Sequence, residues 1–214
     1  MSEAPLLDIA KSLARVADDV RALAAQLSAL NDATTPAPAP DGPPWVDVIA
    51  EMPTNSRATQ PQASPGQWAT RRADQIKGIT IHHTLSHDRL ALARYIIREK
   101  DLPTTEYTWW VDRDGLVLLC VPVELALWHD HTGYPNYNLS IGLAGSLHVA
   151  PPPARQIEGA AGLVAYLMRT YSIPLEEVQG HNDRYPTLCP GWDAAGWRAT
   201  FFSELHRARS EYEG

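Results

Sequence analysis

The segment from His181 to Gly191 carries the residues of this chain best suited to chemistry. It reads HNDRYPTLCPG and places a histidine and a cysteine, His181 and Cys189, eight positions apart in a stretch with two prolines. A loop of this composition can turn both side chains toward one centre. Thiolate and imidazole together suit Zn²⁺, which binds sulfur and nitrogen ligands tetrahedrally. Alone the pair is weak evidence, because buried structural cysteines are common.

A third ligand is available in residues 79–84, which read ITIHHT and are predicted to form a strand. Adjacent side chains of a strand point to opposite faces, so only one of His82 and His83 can reach the same centre. Three protein ligands leave a fourth position for water, which is the pattern of catalytic zinc sites. Cys120, in the apolar run LLCV, is most simply a core residue. A disulfide between Cys120 and Cys189 is the alternative, and it would leave the histidines unexplained.

Alternating strands and helices must position these groups. The apolar patterns predict strands over 78–82, 107–112, 116–121, 140–143 and 177–180, and helices over 89–100 and 154–171. The DRDG stretch at 112–115 predicts a hairpin turn. A last helix, with Asp193 as its N-cap, is expected to bury Trp197, Phe201 and Leu205. The expected fold class is α/β, with a mixed central β-sheet flanked by helices.

The amino-terminal part of the chain has a different character. Residues 6–30 place apolar residues alternately three and four positions apart, which predicts an amphipathic heptad helix over 1–31. We expect this helix to make the protein a homo-oligomer; packing on the chain's own globular part is the alternative. Residues 32–66 are rich in proline and polar residues and are predicted to be a linker and an extended arm, followed by a compact domain over 67–214.

Composition excludes several classes of protein. The formal net charge of the 214 residues is −7, so the chain lacks the basic surface of a nucleic-acid-binding protein. No apolar run approaches the roughly 18–20 residues of a membrane span. The first residues, MSEAP, lack the positive and apolar regions of a standard secretory signal.

Six short blocks follow one another between residues 67 and 205. They are IHHT at 81–84, YTWWVDRDG at 107–115, WH at 128–129, NLSIG at 138–142, GHND at 180–183 and TLCPG at 187–191. In this order they resemble the zinc-dependent N-acetylmuramoyl-L-alanine amidases of type 2. Phage lysozyme-amidases and the peptidoglycan recognition proteins share that fold.

The resemblance implies a zinc site and its catalytic partners. It assigns His82, His181 and Cys189 as the metal ligands and Tyr107 as the active-site tyrosine. Two residues before the cysteine ligand the family carries lysine or threonine, and here Thr187 stands there. A lysine would bring a full positive charge to a developing oxyanion, whereas a threonine offers a hydroxyl hydrogen bond. No glutamate stands in the metal motifs to act as a base, so the proton shuttle is left open.

The resemblance also implies a substrate and a reaction. His129, in the Trp-His block, would line the substrate cleft, with His131 as the alternative. The implied activity is hydrolysis, by zinc-activated water, of the amide bond between N-acetylmuramic acid and L-alanine of the peptidoglycan stem peptide. A phage-type endolysin, which acts on the bacterial cell wall after release from the cytoplasm, is the expected setting. The alternatives are a non-catalytic peptidoglycan-binding module, a cytoplasmic wall-recycling amidase and an assembly component that depends on the heptad helix.

Overall fold

A six-stranded mixed sheet forms the centre of the molecule. The computed structural model describes residues 44–213, so the predicted heptad helix and most of the proline-rich linker lie outside the described residues. The strands of the sheet are β1 (Val46–Asp47), β3 (Ile79–His83), β4 (Trp109–Val111), β5 (Val117–Leu119), β7 (Leu139–Leu143) and β8 (Val178–Gly180). Their order is β1-β5-β4-β7-β3-β8, and only β4 and β5 pair antiparallel. Strands β2 (Ala69–Thr70) and β6 (Leu125–Ala126) form a separate antiparallel pair.

Four α-helices accompany the sheet in the described part of the chain. They are α1 (Arg89–Lys100), α2 (Ala154–Tyr171), α3 (His181–Arg184) and α4 (Arg198–Glu213). Short 3₁₀ turns occur at Ile49–Glu51, Ala73–Gln75 and Leu175–Glu177. Helix α1 begins at its predicted residue because the Asp88 carboxylate accepts hydrogen bonds from the first free backbone N–H groups, those of Leu90 and Ala91.

The alternation of side chains along the strands divides the core into two layers. Trp109, Ile141 and Ile81 lie in one row of the sheet and pack in the layer that contains α2 and α4. The neighbouring Trp110 points to the other face and packs with Cys120 in the layer that contains α1. Helices therefore cover the sheet on both faces, which confirms the predicted α/β class with a mixed central sheet.

The structure moves the start of the compact part toward the amino terminus. The expected start at residue 67 is too late, because Val48 and Met52 are buried in the layer beneath α1 and β1 pairs with β5. Residues 44–66 are rich in proline and polar residues, and their apolar residues are too few to give a periodic pattern, so the sequence did not predict that they belong to the compact part. Farther along the arm, the Asp101 carboxylate accepts hydrogen bonds from Asn55 and Thr59.

The predicted N-cap of the last helix is wrong. Helix α4 begins at Arg198 rather than beside Asp193, because residues 191–197 form turns in which Gly191 and Gly196 adopt positive φ. The Asp193 carboxylate instead accepts hydrogen bonds from Asn182 and Arg198. The predicted apolar face of the helix is nonetheless buried. Within residues 44–213, no helix is both long enough and apolar enough to span a membrane.

Candidate metal centre

Two parallel strands bring His82 and His181 together. Strand β3 pairs with β8 in a register that places Ile81 opposite Gly180. His82 is the next residue on β3, and His181 follows β8 directly as the first residue of α3. The carboxyl ends of parallel strands meet at one edge of a sheet, and here the two imidazole rings lie 4.7 Å apart between centroids.

Cys189 reaches the same point from the loop that follows α3. Its Sγ lies 3.6 Å from Nδ1 of His82 and accepts a hydrogen bond of 3.3 Å from the backbone N–H of His83. The candidate ligand atoms of His82, His181 and Cys189 all lie within 4.8 Å of one another, and all three residues are buried. Side chains from β3, from the start of α3 and from the loop after it therefore converge at one edge of the sheet.

The geometry of this cluster fits a tetrahedral metal ion. Zinc–sulfur and zinc–nitrogen bonds of about 2.3 and 2.0 Å at a tetrahedral angle place the two ligand atoms about 3.5 Å apart. Sγ of Cys189 and Nδ1 of His82 lie close to that separation, at 3.6 Å. Nε2 of His181 is buried and finds no hydrogen-bond partner among the described residues, as expected of a nitrogen that faces a metal position. The donor set and the unpaired nitrogen together support a metal site.

Burial controls the protonation of the three groups. It raises the pKa of the Cys189 thiol to about 12, and it holds the pKa of both histidines below the ordinary range, most strongly for His82. The imidazoles are thus neutral at physiological pH and can act as ligands, whereas the thiol needs a nearby cation to ionise. The buried cluster therefore favours a bound cation and disfavours a Cys189 thiolate without one.

His83 lies outside the cluster, as the alternation of strand side chains predicts. Its ring packs against His148, with centroids 5.1 Å apart, on the other face of β3. Only its backbone takes part, through the hydrogen bond to Sγ of Cys189. Cys120 is a free thiol in the core, so the alternative disulfide with Cys189 is excluded.

Tyr107 lies against the first ligand. Its ring is 5.6 Å from that of His82 between centroids. Gly142 pairs with His82 in the sheet, and a Cβ at this position would lie 2.8 Å from Cγ of Tyr107, so the absence of a side chain makes room for the phenol. Burial raises the pKa of Tyr107 well above its ordinary value, and the hydroxyl therefore keeps its proton at neutral pH.

The Thr187 side chain is hydrogen-bonded to the backbone of Cys189. Its Oγ1 accepts a hydrogen bond of 3.2 Å from the backbone N–H of Cys189. Since that oxygen accepts from the backbone, the hydroxyl proton is available for donation to a further group. Thr187 is half-buried, and this hydrogen bond places it beside Cys189.

His129 occupies a different place from the expected one. It was expected to line the substrate cleft, but its side chain is buried behind His82, and its ring nitrogens contact Nε2 of His82 at 3.0 Å and the carbonyl of Asn138 at 3.2 Å. A histidine with both nitrogens engaged inside the protein has none left for a ligand. The residue that faces solvent is His131, whose ring stacks on His181 at 5.7 Å.

A cavity of about 280 Å³ opens beside the cluster at His131. Its lining combines an apolar floor with charged groups and consists of Gln60, Lys100, Leu102, Glu106, Trp128 and His131. Glu106 and Lys100 form an ion pair of 2.5 Å, and burial raises the pKa of the Glu106 carboxyl. Sequence reasoning missed this carboxylate, although its position directly before Tyr107 was a usable signal.

A buried ion pair holds the loop that carries His129 and His131. The Asp130 carboxylate is fully buried and accepts hydrogen bonds from Thr132, Asn136 and, at 2.5 Å, Arg184 of α3. The loop is thereby tied to the helix that carries His181. Burial alone would raise the pKa of Asp130, but the interaction with His129 and the hydrogen bonds from Thr132 and Asn136 hold it well below its ordinary value. Sequence reasoning missed Asp130, because no local pattern pairs it with a residue 54 positions away.

Comparisons with known proteins agree with this geometry. Among solved structures, the fold is similar to that of the N-acetylmuramoyl-L-alanine amidase LysC from Clostridium intestinale, at 21% identity over 65% of this chain and 92% of that chain, with a TM-score of 0.54. It is similar to the Ph2119 endolysin from the Thermus scotoductus bacteriophage Ph2119, at 18% identity over 69% and 96% of the two chains, with a TM-score of 0.55. It is also similar to human PGRP-IBETAC in complex with glycosamyl muramyl pentapeptide, at 21% identity over 63% and 88%, with a TM-score of 0.54.

At these identities the solved structures establish the fold alone. No curated protein matches the chain in sequence. A family profile does: that of Amidase_2, described as N-acetylmuramoyl-L-alanine amidase, matches residues 72–192. This match covers more than half of the sequence and includes His82, His181 and Cys189. The chain therefore belongs to the Amidase_2 family of N-acetylmuramoyl-L-alanine amidases.

Proposed function

We propose that this protein is a zinc-dependent hydrolase that cleaves the amide bond between N-acetylmuramic acid and L-alanine in peptidoglycan. The observation that carries the proposal is the convergence of His82, His181 and Cys189 within 4.8 Å at one edge of the sheet. Two imidazoles and one thiolate favour zinc over the hard cations calcium and magnesium, which prefer oxygen ligands. Three protein ligands leave one position open for chemistry.

A zinc ion held by these residues would supply a Lewis acid that polarises the scissile carbonyl and activates water. The side chains around it supply the remaining steps. The Tyr107 hydroxyl keeps its proton and can donate a hydrogen bond to the carbonyl oxygen as negative charge develops there. Thr187 can donate its free hydroxyl proton to the same oxygen while its own oxygen accepts from Cys189. Donors held in advance in this way lower the barrier without reorganisation.

The cavity lined by His131 is the proposed binding place for the substrate, because His131 also stacks on His181. Its floor of Leu102 and Trp128 can contact apolar parts of a muropeptide, and the charged pair Lys100 and Glu106 can contact its polar groups. His131 stands between the cavity and His181. We propose His131, rather than His129, as the histidine that contacts substrate.

The decisive experiment measures metal content and bond specificity together. Purified protein is expected to contain about one zinc ion per chain by elemental analysis and to release new free amino termini of L-alanine from purified cell walls, without new reducing sugar ends. A chelator should abolish the release, and added zinc should restore it. Zinc-free protein with full activity, or reducing ends without amino termini, would contradict the proposal.

A non-catalytic peptidoglycan-binding module is the second candidate. The family includes proteins of this fold that act as recognition proteins, and one of the similar structures holds a muramyl pentapeptide. The complete ligand set and the presence of Tyr107 favour the enzyme, since binding alone requires neither a metal with an open position nor a donor beside it. Cell-wall binding with no release of amino termini would favour the recognition module.

We propose a phage-type endolysin as the biological setting and the heptad helix of residues 1–31 as an oligomerisation segment. One protein of similar fold, from a Thermus scotoductus bacteriophage, is an endolysin by name. Linked copies of an enzyme would raise its effective concentration on a repetitive polymer. Light scattering of the full chain should give a mass several times that of a chain that begins at Trp45. If both proteins have the mass of a single chain, the proposed oligomer is contradicted. A cytoplasmic wall-recycling amidase remains the alternative setting, and it would prefer soluble muropeptides to intact walls.

A further inference from the structure

A row of hydrogen-bonding groups leads from His82 away from the metal position. Nε2 of His82 lies 3.0 Å from Nδ1 of His129, and Nε2 of His129 lies 3.2 Å from the backbone carbonyl of Asn138. The same carbonyl accepts a hydrogen bond of 2.9 Å from the Arg71 guanidinium. All four residues are buried, so water does not compete for these contacts.

The carbonyl at the end of this row determines where each proton lies. A carbonyl oxygen only accepts, so Nε2 of His129 must carry a hydrogen. In a neutral imidazole the other nitrogen then has a lone pair, and Nδ1 of His129 must accept from Nε2–H of His82. This leaves Nδ1 of His82 with a bare lone pair, and that nitrogen is the one 3.6 Å from Sγ of Cys189.

This assignment of hydrogens requires a neutral His129 ring, and the surroundings of His129 disfavour the doubly protonated form. The ring is buried, and the Arg71 guanidinium already donates to the carbonyl that His129 contacts. The neighbouring Asp130 carboxylate could favour a positive charge, but its oxygens are engaged by Thr132, Asn136 and Arg184. A neutral His129 is therefore the form that fits the site.

The groups behind His129 are themselves fixed. Arg71 donates to the carbonyl of Val123 at 2.9 Å as well as to that of Asn138. The backbone N–H of Asn138 donates to the Asn136 side chain at 2.9 Å. Burial lowers the pKa of Arg71 to about 10, which still leaves it protonated at neutral pH. The acceptor that orients His129 thus cannot easily rotate away.

We infer that His129 is a positioning residue for His82: it selects the tautomer with a hydrogen on Nε2 and thereby presents the lone pair of Nδ1 to the metal. This inference rests on the proposed function, in which His82 is a metal ligand. A ligand whose tautomer is selected in advance pays no cost of proton rearrangement when the metal binds, and a hydrogen bond to its remote nitrogen increases its basicity.

The first test reads the tautomers directly in the wild-type protein. Long-range ¹H–¹⁵N spectra of the metal-free protein labelled with ¹⁵N-histidine separate nitrogens that carry a hydrogen from nitrogens that do not. We expect both His82 and His129 to carry their hydrogen on Nε2. A hydrogen on Nδ1 of His82 in the metal-free protein would overturn the inference, whatever the enzyme's activity.

The second test uses substitution with rescue. His129→Phe keeps a planar ring and removes the acceptor, whereas His129→Asn keeps an acceptor oxygen close to the position of Nδ1. We expect the zinc dissociation constant, measured by competition with a chromophoric chelator, to rise about 10–100-fold in the phenylalanine variant and to return to within about threefold of wild type in the asparagine variant. His206→Phe, at an exposed position of α4, is the matched control and should leave zinc affinity unchanged.

The outcomes separate this inference from the proposed function. Wild-type protein that binds no zinc would defeat the proposed function, while the tautomers of the metal-free protein would still decide the arrangement of His82 and His129. Wild-type protein that binds zinc, together with a His129→Phe variant of equal affinity, would defeat the positioning role alone. A phenylalanine variant that loses affinity without rescue by asparagine would also count against it, because loss of packing would then explain the effect.

Discussion

The two cysteines of the chain lie in two buried regions that differ in almost every other respect. Cys120 follows β5 and packs with Trp110 and Leu118, and its Sγ lies 3.7 Å from the Leu118 carbonyl. Cys189 follows α3 and faces two imidazoles. Burial raises the pKa of both thiols to about 12. Burial and thiol pKa therefore do not distinguish a structural cysteine from a candidate ligand; the neighbouring groups do.

The backbone attachments of the two cysteines differ in the same way. The N–H of Cys120 donates to the backbone carbonyl of Thr108 at 2.9 Å, as in an ordinary sheet contact. The N–H of Cys189 donates to the Thr187 side chain at 3.2 Å. A backbone partner survives any substitution, whereas a side-chain partner can be removed. The region of Cys189 is thus specified by individual side chains, and that of Cys120 by packing.

The largest effect is expected from Cys189→Ser. A serine hydroxyl is a much poorer zinc ligand than a thiolate, so we expect zinc affinity to fall by more than the roughly 100-fold that loss of a ligand's supporting partner can cost. Amidase activity at limiting zinc should fall with it. The check is zinc titration and release of amino termini from cell walls, with Cys120→Ser as the matched variant. Equal zinc affinity in the two serine variants would erase the distinction between the regions.

The next effect concerns the side-chain attachment of Cys189. Thr187→Val keeps the shape of the side chain but removes both the acceptor for the Cys189 N–H and the proposed donor to the oxyanion. We expect kcat to fall about 10²–10³-fold, in line with the loss of one oxyanion donor, while zinc content is retained. Thr187→Ser should recover most of the activity, as measured by steady-state kinetics on a soluble muropeptide. Full activity in the valine variant would remove Thr187 from the mechanism.

A smaller effect is expected in the apolar region. Cys120→Ser places a more polar hydroxyl among the apolar side chains of Trp110, Leu118 and Val121. We expect a loss of about 1–3 kcal/mol in the free energy of unfolding, because the hydroxyl loses its hydration on burial and the Leu118 carbonyl, 3.7 Å from Sγ of the thiol, compensates it poorly. Urea denaturation measures it. Zinc affinity of the folded variant should match wild type, and a large change there would mean that the two regions are coupled.

The smallest effect is a dependence of stability on pH that arises from Cys120. Its pKa in the folded protein is about 12, above the roughly 8.5 of an exposed thiol. A raised folded pKa means that the contribution of this group to stability is fully present below about pH 8.5 and is lost as pH rises toward 12. Between pH 8.5 and 10, wild type should lose stability more steeply than Cys120→Ala, by up to about 1.4 kcal/mol per pH unit. If the denaturation midpoints of wild type and Cys120→Ala change equally with pH over this range, the raised pKa of Cys120 is contradicted.

The sequence was sufficient to predict the sheet class and the three residues that converge in the candidate metal site. Strand β3, helix α1 and helix α2 lie where the apolar patterns predicted them. His82, His181 and Cys189 could be identified because each stands in a short block whose order resembles one family, and the structure brings them together. The alternation rule also separated His82 from His83 correctly.

What the sequence could not provide are relations between distant segments. His129 and His131 are two residues apart in one loop, and only the contacts of that loop with β3 and α3 decide that one ring is buried behind His82 and the other faces the cavity. Asp130 and Arg184 form their ion pair across 54 positions. Turns before α4 displaced the predicted N-cap; Gly191 there has a positive φ and lies so close to the backbone of His148 that a Cβ would be 2.3 Å from its nitrogen, a contact between segments far apart in sequence.

The arm of residues 44–66 has a practical consequence for the design of fusion proteins that carry this domain. It supplies β1, the strand at one edge of the sheet. Its Val48 and Met52 are buried in the core layer beneath α1, and its Gln60 lines the cavity. A fusion that replaces the amino-terminal part should therefore be joined upstream of residue 44. Joining at residue 67, where composition alone suggests a boundary, would remove β1, the buried Val48 and Met52, and Gln60 from the cavity wall.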